Sequence, residues 1–215
     1  MRTILKGSLL LATAVCICTS SVAQNDAKSS GAASKKPASE AAAMPMPKPD
    51  PQMTKMIKMM AGTWTVAEKS DPNPMMPKGG TGKGTATMTP GPGGMSLVEK
   101  YHSTGMMGGN FNGFGTFWWD AKAGAYRGVW CDTMTPGGCD SSGMTKWEGD
   151  NLVGTMEGEM NGQKMLTKFI YTDWKPNSFV MKMMSGPDAN SLKDMMTITY
   201  TRAGAVSAAA VKKSE

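Results

Sequence analysis

Histidine is almost missing from this 215-residue chain, where His102 is the single imidazole. That scarcity removes histidine-built metal sites and leaves little room for Ser–His or Cys–His catalysis. Cysteine is scarce too: of four, Cys16 and Cys18 fall in the first twenty residues, which leaves Cys131 and Cys139 for the body of the chain. Aromatic residues make up only 7% of the sequence. No apolar run approaches the ~20 residues that a membrane-spanning helix needs. Beyond residue 61 no long helical periodicity occurs, so parallel strands with helical crossovers are not expected.

Catalytic patterns are equally thin. Ser96 sits in Gly94-Met95-Ser96-Leu97, which lacks the second glycine of a nucleophile elbow. The run Gly79-Gly80-Thr81-Gly82-Lys83-Gly84-Thr85 has glycines and a lysine. It lacks the leading Gly and the Lys-Ser/Thr step of a phosphate loop, and reads as a flexible entry to a strand. Asp120, Asp132 and Asp140 fall at strand ends, where carboxylates usually satisfy turn amides. His102 does not match the later position of the haem ligand in ten-stranded haem barrels. The sequence therefore predicts no enzyme and no cofactor.

What is present begins with an export signal. Arg2 and Lys6, the apolar stretch Ser8 to Cys18, and Ser21-Val22-Ala23 read as a signal peptide over residues 1–23, cut after Ala23. Bulky Val15 and Ile17 before the two cysteines argue against lipid attachment, so no stable membrane anchor is expected. Residues 24–50 are Ala, Ser, Lys and Pro with little to bury, a disordered linker. Residues 203–215 read as a disordered tail. The net formal charge is +6, and part of it sits in that linker at Lys28, Lys35, Lys36 and Lys48. No Lys/Arg cluster interleaves with aromatics, so nucleic acid is not an expected partner. The periplasm or the medium is the expected location. The sequence leaves oligomeric state open.

The folded region opens at Asp50-Pro51, a cap followed by proline at the first helical position. Met53, Met56, Ile57 and Met60 then recur at helical spacing, predicting a helix over Pro51 to Ala61 that Gly62 ends. Short alternating segments follow, at 62–69, 81–89, 94–103, 111–119, 124–132, 143–149, 151–158, 163–173, 178–185 and 194–202. Turn chemistry separates them, as at Gly149-Asp150-Asn151, Asn161-Gly162 and Lys175-Pro176-Asn177. This predicts an all-β domain over 51–202, an up-and-down antiparallel barrel of about ten strands, with an open two-sheet sandwich as the alternative. Gly62-Thr63-Trp64 opening the first strand and Arg202 on the last are the bookends of lipocalin-like barrels. There the Trp plugs one end and the guanidinium covers its indole face, a contact worth ~0.5–2 kcal/mol.

Several segments carry a more specific likeness: Met59-Met60-Ala61-Gly62-Thr63-Trp64, Phe111-Asn112-Gly113-Phe114-Gly115-Thr116, Tyr126-Arg127-Gly128-Val129-Trp130-Cys131-Asp132, Gly186-Pro187-Asp188, and Lys193 through Arg202. In this order, from about Gln52 to Arg202, the chain resembles a bacterial family of secreted proteins, the domain-of-unknown-function family 1579. The resemblance implies a lipocalin-like barrel and no established activity. The chain departs from the family pattern at Thr133-Met134-Thr135-Pro136-Gly137-Gly138-Cys139 and at Trp118-Trp119.

Cys131 and Cys139 flank a Pro136-Gly137-Gly138 turn and read as a disulfide rather than a redox pair, which favours Cys-x-x-Cys. Methionine is abundant at 23 residues. Met fills irregular cores, and Met95, Met165, Met181, Met183 and Met195 fall on strands. Thioethers also bind Cu(I), so Met44, Met46, Met75, Met76, Met106 and Met107, which look exposed, are candidates for copper handling. The leading functional reading is a small apolar ligand inside the barrel. Its predicted lining is Tyr101, Phe114, Trp118 and Trp130, although alternation alone does not say which strand face points inward. A barrel filled by its own side chains, acting as a structural or partner-binding module, is the remaining alternative.

Overall fold

The structure is a computed structural model that describes residues 45–73, 76–106, 109–135, 137–160 and 162–204. The signal peptide, residues 24–44 of the linker and the tail from 205 lie outside the described residues. Asp50 caps helix α1, Pro51–Met60, by accepting the Gln52 N–H at 2.8 Å. Met53, Met56 and Met60 form its buried face. Ten strands follow: β1 Gly62–Ser70, β2 Gly80–Pro90, β3 Ser96–Thr104, β4 Asn110–Asp120, β5 Ala125–Asp132, β6 Cys139–Glu148, β7 Asn151–Met160, β8 Gln163–Lys175, β9 Ser178–Gly186 and β10 Lys193–Arg202.

Each strand pairs antiparallel with its neighbour, and β1 pairs with β10 to close the barrel. Closure removes the free edges that a sandwich would have to protect. Two strand starts differ from the sequence reading by more than one residue. β3 begins at Ser96 because Pro92–Gly94 form a 3-10 turn in which Gly93 and Gly94 take φ of 62° and 72°. β6 begins at Cys139, four residues before the predicted start, because Cys139 pairs directly with Cys131 and the two are joined by a disulfide.

Because the strands alternate in direction, α1 shares one end of the barrel with the start of β1 and the end of β10. Trp64 lies at that end, 1% exposed, and its indole N–H donates to Met60 O at 2.9 Å. The Arg202 guanidinium carbon stands 4.2 Å from the Trp64 ring centre, and Nη1 donates to Ala61 O. Gly62 makes this possible. Its φ is 139°, and a Cβ there would fall 2.3 Å from Arg202 Nη1. Phe179 packs edge-on to Trp64 at 4.9 Å and stacks on Tyr200 at 4.3 Å. Tyr126 is buried and its hydroxyl donates to Gln52 O, tying α1 across the opening. Outside this seal, Lys55 Nζ lies 3.8 Å from the Trp147 ring centre.

Candidate functional site

The opposite half of the barrel is not filled. A cavity of about 310 Å³ lies between the inward side chains of the strands, extending towards the hairpins β1–β2, β3–β4 and β5–β6. Strand alternation decides what lines it. On β1, Trp64 and Val66 belong to the sealed end, and the next inward positions are Glu68 and Ser70. On β3 the same parity puts Leu97 in the core and Glu99, Tyr101 and Ser103 in the wall.

Aromatic rings and thioethers complete the wall. Trp130 on β5 lies across Gly113 and Gly115 of β4, where a Cβ would fall 2.2 Å and 2.8 Å from its ring atoms. The two glycines therefore set the position of the indole. Asp132 fixes it further, accepting the Trp130 N–H at 2.8 Å and the Met134 and Thr135 N–H groups at 2.7 Å each. Tyr101 meets Phe111 and Trp130 edge-on, at 5.9 Å and 6.4 Å between ring centres. Phe117, Phe169, Tyr171, Tyr200, Met181 and Met183 close the remaining sides.

Two buried carboxyls stand in this apolar wall. Glu68 is 6% exposed and Glu99 4% exposed. The Tyr101 hydroxyl donates to Glu68 Oε1, while Glu68 Oε2 and Glu99 Oε1 have no hydrogen-bond partner. Gly82 leaves space for Glu68, since a Cβ there would fall 2.1 Å from Oε2. Burial disfavours the charged form of Glu99 and pushes its pKa to about 7. Burial also raises the phenols of Tyr101, Tyr171 and Tyr200, and the charges of Glu68 and Glu99 add to the effect at Tyr101 and Tyr200. Among the described residues no Lys, Arg or His lines the cavity.

Among the residues predicted to line an interior site, Tyr101 and Trp130 meet in the wall, whereas Phe114 and Trp118 do not reach it. These two project outward, 43% and 37% exposed, from alternate positions to Phe111 and Phe117. The reason is register. Leu97 opposes Phe117 and Glu99 opposes Gly115, and opposed residues share a face, so the inward face of β3 fixes the odd-numbered face of β4 as inward. Glu68 and Glu99, absent from the sequence reading, are the buried carboxyls of the site.

Of the proposed copper residues, Met76 and Met106 are the two that meet, both in the cavity wall. Met46 is 84% exposed, Met106 is 5% exposed and lines the cavity with Met76, and Met44, Met75 and Met107 lie outside the described residues. The copper reading has no support in this arrangement. Among the described residues no group of three or more His, Cys, Asp or Glu side chains could hold a metal. His102 is exposed on the outer face, its Nδ1 3.0 Å from Asn112 Oδ1. Asp120 serves the β4–β5 turn, accepting Ala123 N–H and pairing with Arg127 at 2.8 Å, contacts that hold its carboxyl below the usual range.

The profile of the family described as "Protein of unknown function (DUF1579)" matches residues 50–202. No curated protein compared with the chain matches it. Among solved structures, the crystal structure of Rv2717c from M. tuberculosis is similar, with a TM-score of 0.50 and 10% identity over 72% of this chain and 99% of that one. The S-type phycobiliprotein lyase CPES from Guillardia theta gives 0.47 and 7% identity, over 71% and 93%. A de novo designed fluorescence-activating β barrel gives 0.37 and 13%, over 67% and 94%. The mycobacterial structure shares the fold.

Proposed function

The chain belongs to the DUF1579 family, and we propose that it is an exported lipocalin-like barrel that takes a small, mainly apolar molecule into the cavity of its open half. One observation carries the reading: about 310 Å³ remains free inside a barrel that is sealed at its other end. That volume sits at the small end of the ~300–1,000 Å³ common among ligand sites. A barrel acting only as a scaffold would fill the space with its own side chains. The wall is apolar and adaptable, because Met181, Met183 and Met196 offer flexible stems beside fixed rings. Export is supported by the leader pattern of residues 1–23 and by the Cys131–Cys139 disulfide, a bond that persists in oxidising compartments.

Mass spectrometry of organic extracts from natively purified protein is expected to find an apolar species in stoichiometric amount. Stripped protein is expected to take up Nile red with a blue-shifted emission. No extractable species together with no dye uptake would overturn the reading. N-terminal sequencing of the protein recovered from the periplasm is expected to begin at Gln24, and an intact Met1 in the cytosol would contradict export.

A further inference from the structure

Resting on that reading of the cavity, we propose that the molecule it takes carries a permanent or protonated positive charge on nitrogen, an amine or quaternary ammonium on an apolar body, received by Glu68 and Glu99. A strand position inside a barrel accepts Val or Leu without difficulty, whereas a buried carboxyl without partners opposes folding. Here two such groups stand in one wall, and each leaves an oxygen with no hydrogen-bond partner. The described residues of the wall supply no counter-charge to them. Among the described residues no Lys or Arg side chain lines the cavity. A ligand that carries a positive charge would supply the missing partner.

The rest of the wall suits such a group. Tyr101 donates to one oxygen of Glu68 and so orients the carboxylate, and the other oxygen packs against Gly82, where a Cβ would displace it. The rings of Tyr101, Trp130, Tyr171 and Tyr200 line the same space, and aromatic rings are the usual surroundings of quaternary ammonium recognition. A fatty acid or other anion would place its charge beside two buried carboxyls, with no positive side chain among the described wall residues. A hard metal ion would need more oxygen ligands than two carboxyls among rings and thioethers provide.

The titratable groups facing Glu99 are Glu68 from β1, Tyr101 from β3, Tyr171 from β8 and Tyr200 from β10, with Asp132 of β5 also in the wall. The walls from β2, β4, β6, β7 and β9 contain none. None of these neighbours is positive. Because burial holds Glu99 near pH 7 in the free protein, a cation meets a carboxylate at pH 8 and a neutral acid at pH 5.

The test uses the stripped full mature chain and three probes of one shape: benzyltrimethylammonium, its neutral isostere neopentylbenzene, and the anion phenylmethanesulfonate. Binding is read from tryptophan emission, with Trp130 in the wall. At pH 8 the cation is expected to bind about tenfold or more tighter than the isostere, and the anion not at all. At pH 5 that advantage is expected to shrink about tenfold, since each pK unit corresponds to a tenfold change. In Glu68→Gln/Glu99→Gln the advantage should disappear. If that variant does not fold, the pH dependence of the unaltered chain decides. Equal affinity for cation and isostere at pH 8, or an advantage unchanged at pH 5, overturns the proposal and leaves the apolar cavity standing. A folded chain that binds none of the three overturns the cavity reading and the proposal with it.

Discussion

The two ends of this barrel treat their polar atoms in opposite ways. At the helix end Trp64, Tyr126 and Arg202 carry polar groups into a packed layer, and each finds a backbone carbonyl to donate to. Trp174 Nε1 is the exception there. In the open half Glu68 and Glu99 are buried just as deeply and each keeps an oxygen unpaired. A satisfied hydrogen bond contributes ~1 kcal/mol, while a buried polar group left unsatisfied costs ~1–3 kcal/mol. The same strands thus run from a region that holds the fold together into one that gives stability up, and such concessions mark functional sites.

The largest expected effect falls on the sealed end. Trp64→Ala removes a fully buried indole, its bond to Met60 and its contact with Arg202, and is expected to cost ~3–5 kcal/mol. Urea unfolding monitored by circular dichroism measures it. A loss under ~1 kcal/mol would mean that the seal is not what stabilises the barrel.

The open half should respond in the opposite direction. Glu99 has its pKa raised from 4.5 to about 7 in the folded protein. Between those values the folded state holds a proton that the unfolded chain has released. Stability is therefore full below about pH 4.5, falls as pH rises to about 7, and stays low above it, a change of ~3 kcal/mol at 1.36 kcal/mol per unit. Glu99→Gln is expected to flatten this slope and to be more stable than the parent at pH 8. Denaturant midpoints at pH 5 and pH 8 give the answer, and a variant less stable than the parent at pH 8 would erase the contrast between the two ends.

Next in size is the disulfide, the covalent support of the open end. Replacing Cys131 and Cys139 with serine is expected to cost ~2–3 kcal/mol by releasing a nine-residue loop. Hydrogen exchange should localise the loss to the β5–β6 hairpin. Equal loosening of α1 and β1 would show that the two ends are coupled rather than distinct. The smallest effect belongs to the outer face. Phe114→Ser and Trp118→Ser are expected to change stability by less than ~0.5 kcal/mol and to leave Nile red uptake unchanged. Loss of uptake in either variant would move the binding surface outside the barrel.

The sealed end is legible in the sequence because its signals are local: the Asp50-Pro51 cap, the Gly62-Thr63-Trp64 step, and an arginine on the last strand. The ten strands are legible for the same reason, since period-two alternation and turn residues sit within a few positions of each other. The cavity is only half legible. Aromatic content does not state a face, and chemistry alone points Phe114 and Trp118 inward when they in fact face out. Counting parity from the plug serves better. Trp64, Val66 and Glu68 share a face, and pairing carries that face from strand to strand until Phe117 points in and Trp118 out. Glu68 and Glu99 escape notice because a charged residue on a strand reads as solvated. Their inward parity is the available signal.

The contrast between the ends depends on Glu99 being buried, uncompensated and answered by a cation. Carbon-13 NMR of the glutamate carboxyls, with Glu99 identified by its absence in Glu99→Gln, follows its titration directly. The free protein is expected to titrate at Glu99 near pH 7, and saturation with benzyltrimethylammonium is expected to lower that midpoint by about one unit or more. A free-protein midpoint near 4.5 that the cation does not move would contradict both the burial and the cation.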